Sequence, residues 1–246
     1  PAGIPVELEG TIKGNKVTVN LKIVLEDMIA EEDVIITLTH YGYIKRLPED
    51  TYKAQKRGGR GITAITTREE DFVEHLFVTS THDTVLFFTN EGRVFSLKAY
   101  EIPEGKRQSK GTAIINLINL NGKEKITAVI PIKEYDPESN LVFITKKGIV
   151  KKTKFDHFKN IRKNGLIAIN LREDDELISV RKTNGNRELI LLTCNGMAIR
   201  FHESDVREMG RNATGVKAIK LNKSDYVVSM DLVEEGKDLL VVSEKG

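Results

Sequence analysis

What most constrains this chain is a repeat. Five times it runs through an apolar, β-branched stretch into a short polar turn that closes on glycine. The segments are VIITLTHYG (34–42), DTVLFFTNEG (83–92), NLVFITKKG (140–148), ELILLTCNG (188–196) and DLLVVSEKG (238–246). Their closing glycines, Gly42, Gly92, Gly148, Gly196 and Gly246, are spaced by 50, 56, 48 and 50 residues. An apolar run, a polar turn with glycine where φ must be positive, and a second run together predict a β-hairpin. The second runs, YIKRL, RVFSLK, IVKKTKF and MAIRF, alternate apolar and basic residues. A strand does this when one face is buried and the other meets solvent or a polyanion.

A second glycine follows each of the first four at 19, 19, 17 and 19 residues: Gly61, Gly111, Gly165 and Gly215. These open GITAI, GTAII, GLIAI and GVKAI, and each unit closes with EHLFVTST, KITAVIPI, ELISVRKT or YVVSMDLV. Four strands in roughly 50 residues, repeated, predict an all-β, propeller-like fold of four-stranded blades. The expected organisation is a single domain over 1–246. It has a lead segment at 1–33, blades at about 34–82, 83–139, 140–187 and 188–237, and the start of a further blade at 238–246. A β-sandwich would also show strands at short intervals, but paired glycines in four consecutive units argue for true repetition. Helical signal is confined to a turn or two in LEDMIAEED (25–33) and REEDFVEH (68–75). The alternation of Val17, Val19, Leu21 and Ile23 permits one more strand in the lead segment.

Composition narrows the functional classes. Hydrophobic residues make up 39% of the 246, enough for a core, and charged residues 30%. No apolar run approaches the roughly 18–20 residues of a membrane helix, so no membrane partner is expected. The first residues, PAGIPVELEG, lack the basic start and apolar centre of a signal peptide, which suits a cytoplasmic protein. The single cysteine, Cys194, cannot build a disulfide framework and, within its apolar run, reads as a buried packing thiol. His40, His75, His82, His157 and His202 have no zinc-ligand spacing. His82-Asp83 reads as a turn, and the pairs Glu69-Glu70, Asp174-Asp175 and Glu234-Glu235 as solvated loops. No nucleophile–base constellation is visible. The expectation is a binding module with no catalytic residue, metal or cofactor of its own.

Net charge is only +2, but its distribution is periodic. The windows between paired glycines, 42–61, 92–111, 148–165 and 196–215, hold twenty basic and eight acidic residues; the rest holds eighteen and twenty-eight. In a propeller, equivalent positions face the same way, so this excess predicts a basic stripe along one rim. Such a stripe is an electrostatic track for a phosphate backbone. The candidate contacts are Lys45 and Arg46 in the first window; Arg93, Lys98, Arg107 and Lys110 in the second; Lys151, Lys152, Lys154, Arg162 and Lys163 in the third; and Arg200 and Arg211 in the fourth. The fourth window is the weakest, with Arg200, Arg207 and Arg211 set against Glu203, Asp205 and Glu208.

The first window also contains Gln55-Lys56-Arg57-Gly58-Gly59-Arg60-Gly61. Its glycines allow close backbone approach to a partner, successive N–H groups can form a concave anion site, and arginine can grip phosphate with two parallel bonds. The phosphate-loop pattern of nucleotide-binding proteins is absent from the sequence. QKRGGRG resembles the seven-residue box, usually QRRGGRG, that marks the C-terminal domain of the DNA gyrase A protein. Lys56 replaces the usual arginine and keeps the charge. The flanks AEEDVIITLTHYGYIKRLPEDTYKAQKRGGRG, FVTSTHDTVLFFTNEGRVFSLKAYEIPE and MGRNATGVKAI are similar as well, so the resemblance covers residues 25–246.

The resemblance implies a β-pinwheel, a propeller variant of usually six four-stranded blades with strands exchanged between neighbours. It implies that double-stranded DNA, largely independent of sequence, bends around the basic rim. A segment is thereby presented for ATP-driven strand passage that yields negative supercoils. The box, Gln55 to Gly61, is implied in wrapping and in closing the ring against the last blade. The implied partners are the N-terminal part of gyrase A, which carries the catalytic tyrosine, and gyrase B in an A2B2 assembly, where ATP and Mg are bound. Alone, the domain is expected to be monomeric. Tyr41, Tyr43, Tyr52, Tyr100, Tyr135 and Tyr226 lack that catalytic context and read as packing residues. Two alternatives stay open: the related C-terminal domain of the DNA-cleaving polypeptide of topoisomerase IV, whose box is usually degraded, and a protein-interaction propeller.

Overall fold

The computed structural model describes residues 6–13, 16–23, 25–49 and 71–242, with side chains from Glu26 onward. The described chain is all-β apart from short 3₁₀ turns. It divides into two compact units, Pro1–Thr84 with Lys98–Ala113, and Val85–Leu97 with Ile114–Gly246.

In the first unit, β1 (Val6–Lys13) and β2 (Lys16–Ile23) form an antiparallel hairpin with Val6 opposite Ile23 and Lys13 opposite Lys16. A four-stranded sheet follows. Its central hairpin is β3 (Asp33–Thr39) and β4 (Tyr43–Pro48), flanked by β5 (Val73–Ser80) and by β8 (Thr112–Ala113), in the order β5-β3-β4-β8.

The second unit repeats this plan. The second sheet has the order β9-β6-β7-β12, built from β6 (Thr84–Thr89), β7 (Arg93–Lys98), β9 (Ile126–Ile132) and β12 (Leu166–Ile167). The third has the order β13-β10-β11-β16, from β10 (Asn140–Thr145), β11 (Ile149–Lys154), β13 (Leu177–Thr183) and β16 (Val216–Lys217). The fourth has three strands, β14 (Glu188–Thr193), β15 (Ala198–His202) and β17 (Val227–Leu232), with β14 in the middle.

The hairpins form where the glycine spacing predicts them, and a threonine sets each turn. The backbone N–H groups of Tyr43, Arg93, Ile149 and Met197 donate to the hydroxyls of Thr39, Thr89, Thr145 and Thr193 at 3.2, 3.2, 3.2 and 3.1 Å. A carboxylate then pins the turn from the side. Asp71 accepts from the Tyr41 N–H at 3.1 Å, and Glu124 from the Thr89 hydroxyl at 3.0 Å. Asp175 accepts from the Thr145 hydroxyl at 2.7 Å and the Lys147 N–H at 2.9 Å, and Asp225 from the Asn195 N–H at 3.1 Å. Asp175 is buried, so the solvated-loop reading of Asp174-Asp175 holds for Asp174 alone. Its carboxylate is needed in the interior because the turn leaves N–H groups without a strand partner.

The sheets do not coincide with the contiguous repeats. The two-residue strands after Gly111, Gly165 and Gly215 cross back to the preceding hairpin: Ala113 and Thr112 pair with Tyr43 and Ile44, Leu166 and Ile167 with Val94 and Arg93, and Val216 and Lys217 with Val150 and Ile149. Gly215 shows why the crossing needs glycine. At its φ of +105°, a Cβ would lie 2.5 Å from the Val150 carbonyl oxygen. The first three sheets therefore borrow their last strand from the next repeat, which the periodicity alone did not reveal.

The cores lie between stacked sheets. Leu86, Phe88, Val94 and Ala128 of the second sheet pack on Leu141, Phe143, Leu177 and Val180 of the third, with Phe155 and Phe158 completing the layer. The Phe88 and Phe143 rings meet edge to face at 5.8 Å. Val142, Ile144 and Val150 then pack on Leu189, Leu191, Val227 and Met230 of the fourth. Each such side chain contributes about 1.5–3 kcal/mol by leaving water.

Three local expectations are corrected. Val73 to His75, read as helical, begin β5, because Val73, His75 and Phe77 turn inward while Glu74, Leu76 and Val78 face out, the two-residue period of a strand. Residues 238–242 form no strand, and Leu240 is 84% exposed. Cys194 is exposed rather than buried, because it sits in the turn between β14 and β15.

Candidate nucleic-acid interface

The box residues Gln55, Lys56, Arg57, Gly58, Gly59, Arg60 and Gly61 lie outside the described residues. The other predicted contacts divide into an outward and an inward set.

The inward set begins with the lysines on the second strand of each hairpin. Lys45 on β4 is 1% exposed. Its Nζ donates to the carbonyls of Lys106, Arg107 and Ser109 at 3.1, 2.6 and 2.8 Å, which uses all three ammonium hydrogens. Lys151 on β11 is fully buried and donates to the carbonyls of Ala168 and Arg211, both at 2.5 Å. Burial, aided by the Arg211 charge, lowers its pKa from 10.5 to about 7; burial also lowers that of Lys45. Lys152, 6% exposed, donates to the Glu203 carbonyl at 2.7 Å. These three lysines, read from the sequence as phosphate contacts, face the interior. For Lys45 and Lys151 the reason is strand exchange, since the loop that enters from the next repeat lies over their face; Lys152, on the opposite face of β11, meets the Glu203 carbonyl instead.

Several further candidates are half-buried and held by protein groups. The Arg46 Nε donates to the Ile102 carbonyl at 3.1 Å. Arg93 pairs with Glu124 at 2.8 Å, donates to the Asn164 carbonyl at 2.5 Å and lies 4.6 Å above the Phe95 ring. Lys98 pairs with Glu26 at 2.6 Å and donates to the His82 carbonyl at 3.0 Å. Lys154 lies 3.5 Å from Glu208. Arg107 and Arg211 are also half-buried.

The outward set lies on the glycine-bearing loops, apart from Arg200 on β15. Lys106 and Lys110 are exposed on the second window, and the Lys110 Nζ sits 3.5 Å above the Tyr43 ring. Arg162 and Lys163 are exposed on the third, beside Lys159, which pairs with Asp156. Arg200 and Arg207 are exposed on the fourth, where Arg200 pairs with Glu188 and holds that carboxyl below its ordinary pKa by hydrogen bonding. Lys106 was not among the predicted contacts. Its place in GKRQSKG, just before Gly111, is the signal that would have found it. The pinning carboxylates were missed as well, although the threonine three residues before each of the first four closing glycines marks the turns they serve.

Chemically, the outward loops offer point charges and guanidinium groups to an extended polyanion. Phosphate contacts of this kind position a duplex without reading its bases. None of the described groups of His, Cys, Asp and Glu could hold a metal ion.

Comparison with known proteins fits this repeat. The family model for the DNA gyrase C-terminal domain, beta-propeller, matches residues 33–80, 83–133, 139–184 and 187–234, one stretch per repeat. The DNA gyrase A protein of Clostridium acetobutylicum is 63% identical over 193 residues, which is 78% of this chain and 23% of that protein. The chain thus spans about a quarter of the length of the curated relatives it matches. Among solved structures, the C-terminal domain of DNA topoisomerase IV aligns with a TM-score of 0.71 at 36% identity, covering 84% of this chain and 63% of that one. The DNA gyrase A C-terminal domain aligns with 0.65 at 29%, covering 83% and 66%. With four family-specific repeats each folded into a hairpin-centred sheet, the chain belongs to the DNA gyrase C-terminal domain family.

Proposed function

We propose that this chain binds double-stranded DNA along the outward cations of its glycine-bearing loops and bends it. The observation that carries this reading is the recurrence of those cations at one place in successive repeats of a DNA gyrase C-terminal domain: Lys106 and Lys110, then Arg162 and Lys163, then Arg207. Within a whole gyrase A protein, the bent segment would be presented for ATP-dependent strand passage that introduces negative supercoils. The partners are the N-terminal part of that protein and gyrase B in an A2B2 assembly in the bacterial cytoplasm, with ATP and Mg bound elsewhere in it. The fragment supplies binding and shape, not the cleavage chemistry.

Two features favour gyrase over topoisomerase IV: the near-intact QKRGGRG heptad, and 63% identity to a gyrase A protein. The box residues Lys56, Arg57 and Arg60 act in this reading as wrapping contacts. Binding should weaken linearly on a log–log plot against salt, with a slope near −0.9 for each phosphate neutralised. Smoothly bending a 20–30 bp site costs about 1–6 kcal/mol, so several loops must act together. The test is a salt series on a duplex combined with the linking-number shift of a relaxed circle. A slope near zero would contradict the electrostatic track. An unchanged shift after Lys56, Arg57 and Arg60 are replaced by alanine in the full-length protein would contradict the role of the box.

A further inference from the structure

The same contact recurs in three sheets. A cation on the second hairpin strand bonds a backbone carbonyl in the segment that leads to the next marker glycine. Lys45 reaches residues 106–109 before Gly111, Arg93 reaches Asn164 before Gly165, and Lys151 reaches Arg211 before Gly215. The second sheet makes the contact with an arginine and an aromatic ring. Phe95 takes the position of Lys45 and Lys151, three residues after the closing glycine, and Arg93 lies over its ring. In each case the bonded segment carries outward cations, Lys106 and Lys110, Arg162 and Lys163, or Arg207.

We propose that Lys45, Arg93 and Lys151 are positioning residues for DNA and not DNA ligands: each clamps the incoming loop of the next repeat, so that the cations on that loop meet phosphates at a fixed height. The proposal rests on the DNA-binding reading above. For the two lysines its physical basis is saturation and burial; Arg93, whose side chain is 22% exposed, is instead held by Glu124 and the Asn164 carbonyl. An ammonium whose three hydrogens already serve three carbonyls has no donor left for a phosphate, and Lys151 has no path to solvent. Each clamp instead opposes the freedom of a loop of polar and glycine residues, which would otherwise cost entropy to order on a duplex. A positioned loop lowers that cost for bending, where several loops must be in place at once. It matters less for simple adhesion, where any accessible cation contributes.

The test begins with amine acylation of the wild-type chain, read by mass spectrometry with and without a duplex. The proposal predicts that Lys106, Lys110 and Lys163 are modified without DNA and protected with it, while Lys45 and Lys151 are unmodified in both. Modification of Lys45 and Lys151 that DNA suppresses would overturn it. Absence of protection at Lys106, Lys110 and Lys163 would instead overturn the DNA-binding reading. Lys45→Met and Lys151→Met then separate positioning from contact and from mere stability. At a temperature well below unfolding, amide exchange should become about tenfold faster at residues 106–111 or 211–217 respectively. Duplex bending, measured by end-to-end energy transfer, should fall by about half, while the salt slope stays that of wild type. A slope reduced by about 0.9 per lysine would make them phosphate ligands. Unchanged bending in a folded variant would make them structural only. Either result overturns the proposal.

Discussion

The third and fourth sheets begin from the same local sequence and end differently. Both open with a threonine-set turn, NLVFITKKG and ELILLTCNG, and both continue into a basic second strand. In the third, β16 borders β11, Lys151 is enclosed under the incoming loop, and the Met209 N–H donates to the Lys152 carbonyl at 2.8 Å. In the fourth, no strand borders the far side of β15 among the described residues, Arg200 is exposed on a neighbouring glutamate, and Ala198 faces solvent. The difference teaches that alternation of basic and apolar residues does not by itself tell a covered cation from an exposed one: Lys152 and Arg200, each four residues after the closing glycine, are buried and exposed respectively.

The largest effect should come from the crossing glycine. Gly215→Ala would set a methyl 2.5 Å from the Val150 carbonyl oxygen at a φ of +105°, whereas a Cβ at Gly196 meets nothing within 4 Å. We expect Gly215→Ala to cost about 4 kcal/mol and Gly196→Ala about 1 kcal/mol, measured as urea unfolding midpoints. Equal losses would break the contrast between the sheets.

The next effect is a pH dependence carried by Lys151 in the third sheet. Below pH about 7, Lys151 is protonated in both folded and unfolded chains, and the cost of burying its charge is fully present. Between about 7 and the ordinary 10.5, the folded chain releases that proton while the unfolded chain keeps it. Stability relative to Lys151→Met should therefore climb as pH rises through this window, by on the order of 3 kcal/mol. Arg200→Ala, in the fourth sheet, should give no such slope. A flat difference curve for Lys151→Met would show that its amine is not enclosed.

A smaller contrast lies in the turns. Asp175 is buried with bonds to the Thr145 hydroxyl and the Lys147 and Glu176 N–H groups, while Asp225 serves the equivalent turn closer to solvent. Asp175→Ala should cost about 1–3 kcal/mol by leaving buried donors unpaired, and Asp225→Ala measurably less, since water can replace it. Thermal melts of the two variants would sharpen or remove this distinction.

Much of the fold was legible in the sequence, because turns and period-two strands are local. Gly42, Gly92, Gly148 and Gly196 mark the four hairpins, and runs such as KITAVIPI appear as strands. The destination of the short strands after Gly111, Gly165 and Gly215 was not legible in the periodicity; strand exchange between neighbours came only from what the resemblance implies. Two residues carry no pairing information, and their partner lies in the preceding repeat. That gap carried over to the candidate site. Alternation gives two faces, one apolar and one polar, and it reads every lysine on the polar face as outward. It cannot report that a backbone segment rich in unpaired carbonyls will cover that face, as happens at Lys45 and Lys151. The loop cations Lys110, Arg162 and Lys163 were legible because charge beside a marker glycine falls on the loop and not on a strand.

The most direct measurement is the salt dependence of duplex binding for two variants that each remove two basic side chains: Arg162→Gln with Lys163→Gln on the outward loop, and Lys151→Met with Lys152→Met beneath the loops. The account predicts that the outward pair lowers the slope of log affinity against log salt by about 0.9 for each lost phosphate contact and that the buried pair leaves the slope at its wild-type value. Equal reductions in the two, or a reduction in the buried pair alone, would contradict it.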